Sequence, residues 1–420
     1  MKTTAVRLYG KNDLRLETFE LPAVKEDEIL AKVVSDSICM SSHKAALQGP
    51  EHKRVPNDLA ENPVIIGHEF CGELLEVGAK WKNRFQAGRR FVIQPALNYK
   101  GSLDAPGYSY RYIGGDATYI VIPNEVMEMD CLLDYDGDAF FYGSLTEPVS
   151  CLVGAMRASY HVPRGTYIHE MGIRQKGRMA ILAGAGPMGQ GLVDLAVRGD
   201  RKPKTLIVTD IDEIRLKRSE NLTPPAEAAK YGVELKYLNL SGTSGAPAAI
   251  KAANGGELFD DVFVMAPVAP VIEQAGKLLA QDGCLNFFAG PTDTGFSANV
   301  NFYDIHYAFH HIVGTSGGNN EDLKISVSMM EKGVLNPAGM ITHIGGLNSA
   351  AAATLDLPRI PGGKKLIYTH INLPLTAISD FAEAGKSGPL FAELAKIVGD
   401  RGGLWNKDAE DYLLAKAKKI

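Results

Sequence analysis

The strongest indication of the fold of this chain is MAILAGAGPMGQGLVDL, residues 179–195. A short apolar run leads into three glycines at GxGxxG spacing, and a helix-like pattern follows. In such a turn the first glycine permits the tight bend, the second lets backbone N–H groups approach a pyrophosphate, and the third lets helix and strand pack closely. The stretch therefore predicts a dinucleotide-binding turn. The residues predicted to contact the cofactor are Gly184, Gly186, Pro187, Met188 and Gly189.

A second apolar strand, Thr205 to Thr209, ends at Asp210, which lies 21 residues after Gly189. A glycine-rich turn alone is a weak signal, but strand, turn, helix, strand and acid in this order are typical of a nucleotide-binding βαβ unit. An acidic group at this place hydrogen-bonds the adenosine ribose, and its charge repels a 2′-phosphate. We therefore expect NAD(H) to be preferred, with NADP(H) as the second option.

The length and charge of the chain narrow the choice of function. A chain of 420 residues exceeds the size at which one hydrophobic core keeps growing, so at least two domains are expected. The net charge is −5 with interspersed signs, which favours a small-molecule partner over nucleic acid or a membrane. There is no apolar run of about 18 residues and no signal-like N-terminus. Five scattered cysteines suit a reducing compartment, so we expect a cytoplasmic protein without disulfides.

The predicted secondary structure changes in type near residue 160. Before it, short β-rich runs separated by Gly and Pro predict a barrel-like β domain. These runs are Ile29 to Val34, Phe70 to Val77, Arg90 to Pro95 and Ala117 to Ile122. After it, strands alternate with helices, which predicts an α/β doubly wound parallel sheet. The predicted domains are residues 1–158, 159–317 and 318–420, and the last is expected to fold back onto the first.

Three residues before the glycine-rich turn carry side chains that bind zinc. Cys39 offers a thiolate, His68 an imidazole and Glu147 a carboxylate. Three protein ligands with one open position describe a catalytic zinc site. Taken singly, Cys39 is also explained as a buried thiol, His68 as a turn histidine and Glu147 as a carboxylate at the start of a helix. Together with a nucleotide fold they favour a catalytic metal.

Several segments occur in an order that carries a family resemblance. They are SICMSS, VIIGHEFCGELLEVG, LTEPVSC, ILAGAGPMGQG and VTDIDEIRL. With them the chain resembles the zinc-dependent medium-chain dehydrogenase/reductase family. The resemblance implies a GroES-like catalytic domain, a Rossmann domain, and reversible hydride transfer between NAD(P) and a CH–OH group. Glu147 in EPVSC resembles the polyol dehydrogenase branch, and EHKRVPNDL, GCLNFFAGPTD and IPGGKKLIYT resemble its sugar-phosphate reductases.

The resemblance also implies roles for individual residues. Ser41 occupies the place of the hydroxyl that relays a proton, Glu69 lies beside the metal or exchanges onto it, and Arg215 flanks the adenine. The four closely spaced cysteines of the family's structural zinc lobe have no counterpart between Val92 and Thr118, so one zinc ion per chain is implied. Members of the family commonly form homo-oligomers, and a dimer or tetramer is expected.

Basic residues after Cys39 suggest how a phosphorylated substrate is bound. Lys44 stands where the family more often has a histidine, and a long cation there would suit a sugar phosphate. Lys53 and Arg54, beside His52, form a second basic group that can hold phosphate by charge-assisted hydrogen bonds. A solvated basic loop is the alternative explanation.

Two other functions stay open. A dehydrogenase of an unphosphorylated polyol or another secondary alcohol would share every zinc and nucleotide residue named above. A nucleotide-binding redox sensor that lost catalysis should have lost its metal ligands, whereas Cys39, His68 and Glu147 are all present together with Ser41.

Overall fold

A computed structural model describes residues 1–420, and the chain divides into two compact units. Unit 1 comprises Met1–Pro148, Asn319–Lys332 and Pro337–Ile420, and unit 2 comprises Val149–Gly318 and Gly333–Asn336. Unit 1 is rich in β-structure and unit 2 contains a parallel sheet with helices, which confirms the predicted fold class. No helix combines the length and the apolar character needed to cross a bilayer.

The regular elements are numbered along the chain. The strands are β1 Lys2–Gly10, β2 Asp13–Glu20, β3 Ile29–Ile38, β4 Val64–Ile65, β5 Phe70–Val77, β6 Arg90–Ile93, β7 Tyr119–Ile122, β8 Leu132–Asp134, β9 Tyr160–His161, β10 Glu170–Met171, β11 Arg178–Leu182, β12 Thr205–Asp210, β13 Glu234–Asn239, β14 Phe259–Val264, β15 Leu279–Phe287, β16 His311–Gly314, β17 Ile341–Gly346, β18 Lys364–Tyr368 and β19 Thr376–Ala377. The helices are α1 Met40–Gln48, α2 Asn124–Glu128, α3 Phe140–Ser144, α4 Thr146–Ala158, α5 Pro187–Arg198, α6 Glu213–Leu222, α7 Pro225–Lys230, α8 Ala246–Ala253, α9 Ala269–Gly276, α10 Phe302–Tyr307, α11 Asn320–Glu331, α12 Leu347–Leu355, α13 Phe381–Ala384, α14 Pro389–Gly399 and α15 Lys407–Lys416.

The six-stranded sheet of unit 2 is parallel throughout, in the order β13-β12-β11-β14-β15-β16. Its central strand β11 is apolar and buried from Met179 to Leu182, as expected for a strand covered by helices on both faces. The strand order reverses at β11, since β12 lies on one side and β14 on the other. Ligands of such sheets bind at the carboxyl ends of the strands at this switch point.

The large sheet of unit 1 is built around β3. One edge of β3 pairs with β5, and the other pairs with β7 and β18. The remaining strands extend the sheet in the order β19-β17-β18-β3-β5-β6-β8. Strand β18 is antiparallel to β3, with Lys365 opposite Ile38 and Leu366 opposite Ser37. A strand from the C-terminal part of the chain therefore lies directly beside the strand that leads to Cys39.

A buried polar cluster holds α15 in unit 1. The carboxylate of Glu410 accepts the backbone N–H groups of Phe140 and Phe141 at 2.7 and 2.9 Å, and it accepts the hydroxyl of Tyr368 at 2.8 Å. Trp405 donates its indole N–H to the same hydroxyl at 2.8 Å. Burial raises the pKa of Glu410 to about 7. The cluster therefore ties the C-terminal helix to β18 and α3.

Candidate metal centre and nucleotide turn

Three side chains in unit 1 form a compact group of metal donors. The sulfur of Cys39, a ring nitrogen of His68 and a carboxylate oxygen of Glu69 all lie within 4.8 Å of one another. Cys39 directly follows β3, and His68 and Glu69 directly precede β5. Because β3 and β5 are antiparallel neighbours with Asp36 opposite Phe70, the end of one strand and the start of the other meet at the same place.

The imidazole of His68 is buried and held at both nitrogens. The hydroxyl of Ser42 lies 3.1 Å from Nδ1, and the hydroxyls of Ser41 and Tyr108 each lie 3.2 Å from Nε2. Burial lowers the pKa of His68 to about 4, so the ring is neutral at physiological pH. A neutral imidazole is the form that ligates metals.

The surroundings of the Cys39 thiol favour binding of a metal cation. Its sulfur accepts the hydroxyl of Ser41 at 3.0 Å. Burial and then the negative charge of Glu69 raise the pKa of the thiol to about 12 in the metal-free protein. A bound dication reverses this balance, because coordination deprotonates the thiol. Thiolate, imidazole and carboxylate form a donor set that suits zinc, so the residues fit the metal that the family resemblance implies.

Glu69 has a buried cationic partner that the sequence analysis missed. The ammonium of Lys364 lies 2.5 and 2.6 Å from the two carboxylate oxygens of Glu69, and Ser37 also donates to this carboxylate. Burial opposes the charge of Lys364, but the charges of Glu69 and Cys39 outweigh it and raise the pKa of the ammonium. All five residues of β18, including Lys364, are buried. A buried lysine needs a charged partner.

Glu147 lies beside the donor group and is not one of its members. It occupies the first turn of α4 and is 8% exposed. Its negative charge acts on Cys39, Tyr108 and Lys364 and raises the pKa of each. The structure therefore brings together Cys39, His68 and Glu69, with Glu147 near enough to add charge.

The predicted phosphate residues lie in the same unit. Lys44 is on α1, and its side chain is half-buried, as is that of Arg54, whereas Lys53 is exposed. Tyr108, which the sequence analysis did not select, contacts both His68 and His52 with its ring. No local pattern around Tyr108 predicts these contacts.

The glycine-rich turn of unit 2 has the shape that a dinucleotide requires. A Cβ added at Gly189 would lie 2.1 Å from the carbonyl oxygen of Gly184, so helix α5 packs there too closely for a side chain. A Cβ added at Gly186 would meet no atom within 4 Å, so the N-terminus of α5 opens onto free space. Pro187 and Met188 are the first residues of this helix. Such an N-terminus favours an anion through its N–H groups and its dipole.

Asp210 ends β12 next to this turn. One carboxylate oxygen accepts the backbone N–H of Ala185 at 3.0 Å, and the other accepts that of Ile211 at 2.8 Å. These bonds hold the carboxylate at the switch point of the sheet. Arg215 follows on α6, where its half-exposed side chain forms an ion pair of 3.3 Å with Asp212. The acid, the arginine and the glycines thus belong to adjacent segments of unit 2.

Comparison with known proteins finds dehydrogenases and reductases by family model, by sequence and by structure. Residues 25–130 match the family model of the alcohol dehydrogenase GroES-like domain. The chain is 51% identical to the L-sorbose 1-phosphate reductase of Klebsiella pneumoniae, with 100% of this chain and 98% of the relative covered. It is 49% identical to the mannitol-1-phosphate 5-dehydrogenase of Aliivibrio fischeri (strain ATCC 700601 / ES114), with 98% and 97% covered. The crystal structure of 2R,3R-butanediol dehydrogenase from Bacillus subtilis shares the fold, with a TM-score of 0.70, 21% identity, and 87% and 99% of the two chains covered.

Proposed function

This chain belongs to the zinc-dependent medium-chain dehydrogenase/reductase family, and from this premise we propose that it reduces L-sorbose 1-phosphate to D-glucitol 6-phosphate with NAD(P)H, reversibly. It is an oxidoreductase of the class that uses zinc and NAD(P). One observation carries the proposal: the partly buried thiol of Cys39 and the buried imidazole of His68 and carboxylate of Glu69 lie within 4.8 Å of one another in a chain that is 51% identical to a reductase of that name.

We assign one zinc ion to Cys39, His68 and Glu69, whose donor atoms are grouped, with Glu147 as the neighbouring carboxylate. When bound, zinc supplies a Lewis acid that polarises a carbonyl group, and NAD(P)H supplies the hydride. Ser42 holds His68 through Nδ1 and leaves Nε2 on the side of Ser41 and Tyr108. Such supporting hydrogen bonds orient a metal ligand and tune its basicity.

We assign the proton transfer to Ser41. Its hydroxyl donates to the sulfur of Cys39 and lies 3.2 Å from Nε2 of His68, so it sits at the donor group without being a metal ligand of its own. A hydroxyl in this place can relay a proton: it gives its own proton to the oxygen of the ketose and takes one from water, so that the serine is regenerated when the alcohol has formed. Positioned proton transfer contributes roughly 10²-fold to 10⁴-fold in rate.

We propose NAD(H) as the preferred cofactor, bound at the glycine-rich turn with its ribose on Asp210 and its adenine beside Arg215. The backbone N–H groups of Ala185, Ile211 and Asp212 fix the Asp210 carboxylate and leave one acceptor position, on the oxygen that Ala185 contacts, for a ribose hydroxyl. The same negative charge disfavours a 2′-phosphate. Arg215 is half-exposed and could partly offset this effect, which keeps NADP(H) as the second cofactor.

A homo-oligomer, either a dimer or a tetramer, completes the proposal. Strand β16 is an edge strand of the parallel sheet, and aromatic side chains of α10 beside it in sequence are exposed, with Phe302 at 76% and Tyr303 at 67%. Long unpaired edges and exposed apolar patches are features of association sites. Light scattering after size-exclusion chromatography should give a molar mass that is a multiple of 45.3 kDa, and the substitution Phe302→Glu should lower this mass. We place the protein in the cytoplasm, in keeping with five free cysteines.

The decisive experiment measures oxidation of NADH and NADPH by the zinc-loaded protein, with and without a chelator. The substrates are L-sorbose 1-phosphate, L-sorbose and D-fructose 6-phosphate. We expect rapid, chelator-sensitive turnover of L-sorbose 1-phosphate. Turnover of L-sorbose alone would instead indicate a dehydrogenase of unphosphorylated polyols.

The assay with D-fructose 6-phosphate tests a second possible substrate. The relative at 49% identity acts, by its name, at carbon 5 of mannitol 1-phosphate, which is far from the phosphate. D-fructose 6-phosphate likewise separates carbonyl and phosphate by four carbons. Preference for this substrate over L-sorbose 1-phosphate would identify the chain with that activity and overturn the substrate proposed here.

A further inference from the structure

A group of basic side chains lies next to the metal donors. It comprises Lys44 on α1 together with His52 and Arg54 in the segment that follows a short 3₁₀ turn, Gly49–Glu51, and we call it the cationic cluster. Burial, followed by the charges of Arg54, Lys53 and Lys44, lowers the pKa of His52 to about 4. The imidazole of His52 therefore stays neutral near the cations Lys44 and Arg54 of the cluster.

The ring of Tyr108 connects the cationic cluster to the metal donors. His52 stacks on this ring with centroids 5.7 Å apart and an interplanar angle of 7°, and the guanidinium carbon of Arg54 lies 5.9 Å from its centre. The ring of His68 lies 4.8 Å away, and the Tyr108 hydroxyl is 3.2 Å from Nε2 of His68. One aromatic side chain thus touches both groups.

The polar atoms of the cluster are suited to an anion. The side chain of Arg54 donates to the backbone carbonyl of Leu103 at 3.1 Å, which leaves most of its five N–H donors for another acceptor. The Nδ1 atom of His52 accepts the backbone N–H of Arg54 at 3.3 Å, so the proton of the neutral ring lies on Nε2 and can be donated. A guanidinium fork, an imidazole N–H and an ammonium match the oxygens of a phosphate.

The spacing along α1 limits how far the phosphate can lie from the reacting carbon. Lys44 follows Ser41 by three residues, so the two share one face of the helix and are separated by about 4.5 Å of rise. Ser41 contacts Cys39 and His68 directly. A substrate whose oxygen lies at Ser41 therefore meets Lys44 about one helical turn away. That short span fits a phosphate on the carbon next to the carbonyl.

We propose that Lys44, His52 and Arg54 bind the phosphate of the substrate, and that their closeness to Cys39, His68 and Glu69 selects ketose phosphates in which the phosphate-bearing carbon adjoins the carbonyl. This rests on the proposed function, because it places the ketose carbonyl at the metal donors. Exposed Lys53 contributes only long-range charge.

The first test compares phosphorylated and unphosphorylated substrate. Arg54→Gln and Lys44→Gln should each raise the KM for L-sorbose 1-phosphate roughly 10-fold to 100-fold, as loss of a charge-assisted hydrogen bond predicts. The KM for L-sorbose should rise much less than that for L-sorbose 1-phosphate, and the zinc content should stay within twofold of the unsubstituted protein. Lys82→Gln, an exposed lysine of unit 1, is the charge-matched control and should leave both substrates unaffected. Unchanged KM for the phosphate in both test variants would overturn the assignment.

A binding measurement separates this site from the proposed reaction. Calorimetric titration of the zinc-loaded protein with inorganic phosphate needs no turnover, and Arg54→Gln should weaken the binding at least tenfold, whereas Arg54→Lys should restore part of it. Phosphate binding lost in Arg54→Gln without turnover of any ketose would retain the site and reject the reaction. Turnover of L-sorbose 1-phosphate, with equal phosphate binding by the unsubstituted protein and by Arg54→Gln, would retain the reaction and reject the phosphate site.

The spacing itself is tested with one sugar that carries its phosphate at either end. We expect kcat/KM for L-sorbose 1-phosphate to exceed that for L-sorbose 6-phosphate at least tenfold. Arg54→Gln should reduce this ratio, because it removes the contact that recognises the nearer phosphate. Equal or greater activity with the 6-phosphate would overturn the proposed spacing.

Discussion

The ammonium of Lys364 lies 2.5 and 2.6 Å from the two carboxylate oxygens of Glu69, and both side chains are buried, at 6% and 1% exposure. The same carboxylate is one of three grouped metal donors. In the proposed zinc site this one anion has two cationic partners, Lys364 and the removable metal. The stability of the protein and its affinity for metal are therefore linked through Glu69.

Lys364→Met should destabilise the metal-free protein more than the zinc-loaded protein. Removing one partner of a buried ion pair costs about 3 to 5 kcal/mol because the other charge is left uncompensated, whereas a bound dication supplies the missing charge. Thermal unfolding with chelator and with zinc measures both losses. Lys396→Met, at an exposed ion pair of α14, is the control. Equal losses in the two conditions would contradict the linkage.

The zinc ligands can be ranked by metal analysis of purified variants. Cys39→Ala and His68→Ala should abolish stoichiometric zinc, because each removes a grouped donor. Glu69→Gln should lower zinc content more than Glu147→Gln, since only Glu69 belongs to that group. The reverse order would assign the carboxylate ligand to Glu147.

Ser41→Ala should lower kcat roughly 100-fold while KM and zinc content change little, because the hydroxyl moves a proton and leaves the metal donors in place. Steady-state kinetics with L-sorbose 1-phosphate gives both constants. Ser42→Ala is the informative partner variant. It should reduce zinc affinity about 10-fold to 100-fold, since it removes the hydrogen bond to Nδ1 of His68. A loss of zinc in Ser41→Ala equal to that in Ser42→Ala would assign Ser41 a purely structural role.

Asp210→Ser should shift the cofactor preference towards NADP(H). The substitution removes the charge that repels a 2′-phosphate and keeps a side chain that can bond the nearby backbone N–H groups. We expect the ratio of kcat/KM for NADH to that for NADPH to fall at least tenfold. An unchanged ratio would show that Asp210 does not face the ribose.

Stability should decrease as pH rises from about 4.5 to about 7 because of Glu410. Burial raises the pKa of this group from 4.5 to about 7 in the folded protein, so the folded state holds a proton that the unfolded state releases. The contribution is fully present below pH 4.5 and is lost as pH rises through 7; its size is about 3 kcal/mol. Urea denaturation at several pH values measures it. Glu410→Gln cannot titrate, so it should flatten this segment of the pH profile; an unaltered profile would exclude Glu410 as its source.

Much of the fold follows from local pattern. The apolar runs at 179–183 and 205–209 predict β11 and β12, and the turn from Gly184 to Gly189 follows from backbone needs that only glycine meets. The same holds for β3 and β5, whose β-rich runs are bounded by Gly and Pro. These features depend on residues close together in sequence. Strand β13 was not predicted, because its sequence ELKYLN is largely polar, in keeping with the exposure of half of its residues.

The parts of the site that the sequence did not reveal depend on distant pairs. Lys364 meets Glu69 across 295 positions, and Tyr108 meets His68 across 40, so no spacing rule links them. Glu69 and Glu147 could not be distinguished either. Both are carboxylates near a ligand motif, and only the antiparallel pairing of β3 and β5 brings Glu69 to the sulfur of Cys39.

The pairing of β18 with β3 affects the state of the chain while it is being synthesised on the ribosome. Cys39, His68 and Glu69 are synthesised first, and Lys364 follows Glu69 by 295 positions. Until then Glu69 has no lysine to neutralise it, and the edge of β3 that receives β18 is bare. A nascent chain arrested before β18 therefore exposes the backbone of β3 from Ser35 to Ile38 and leaves Glu69 without its lysine.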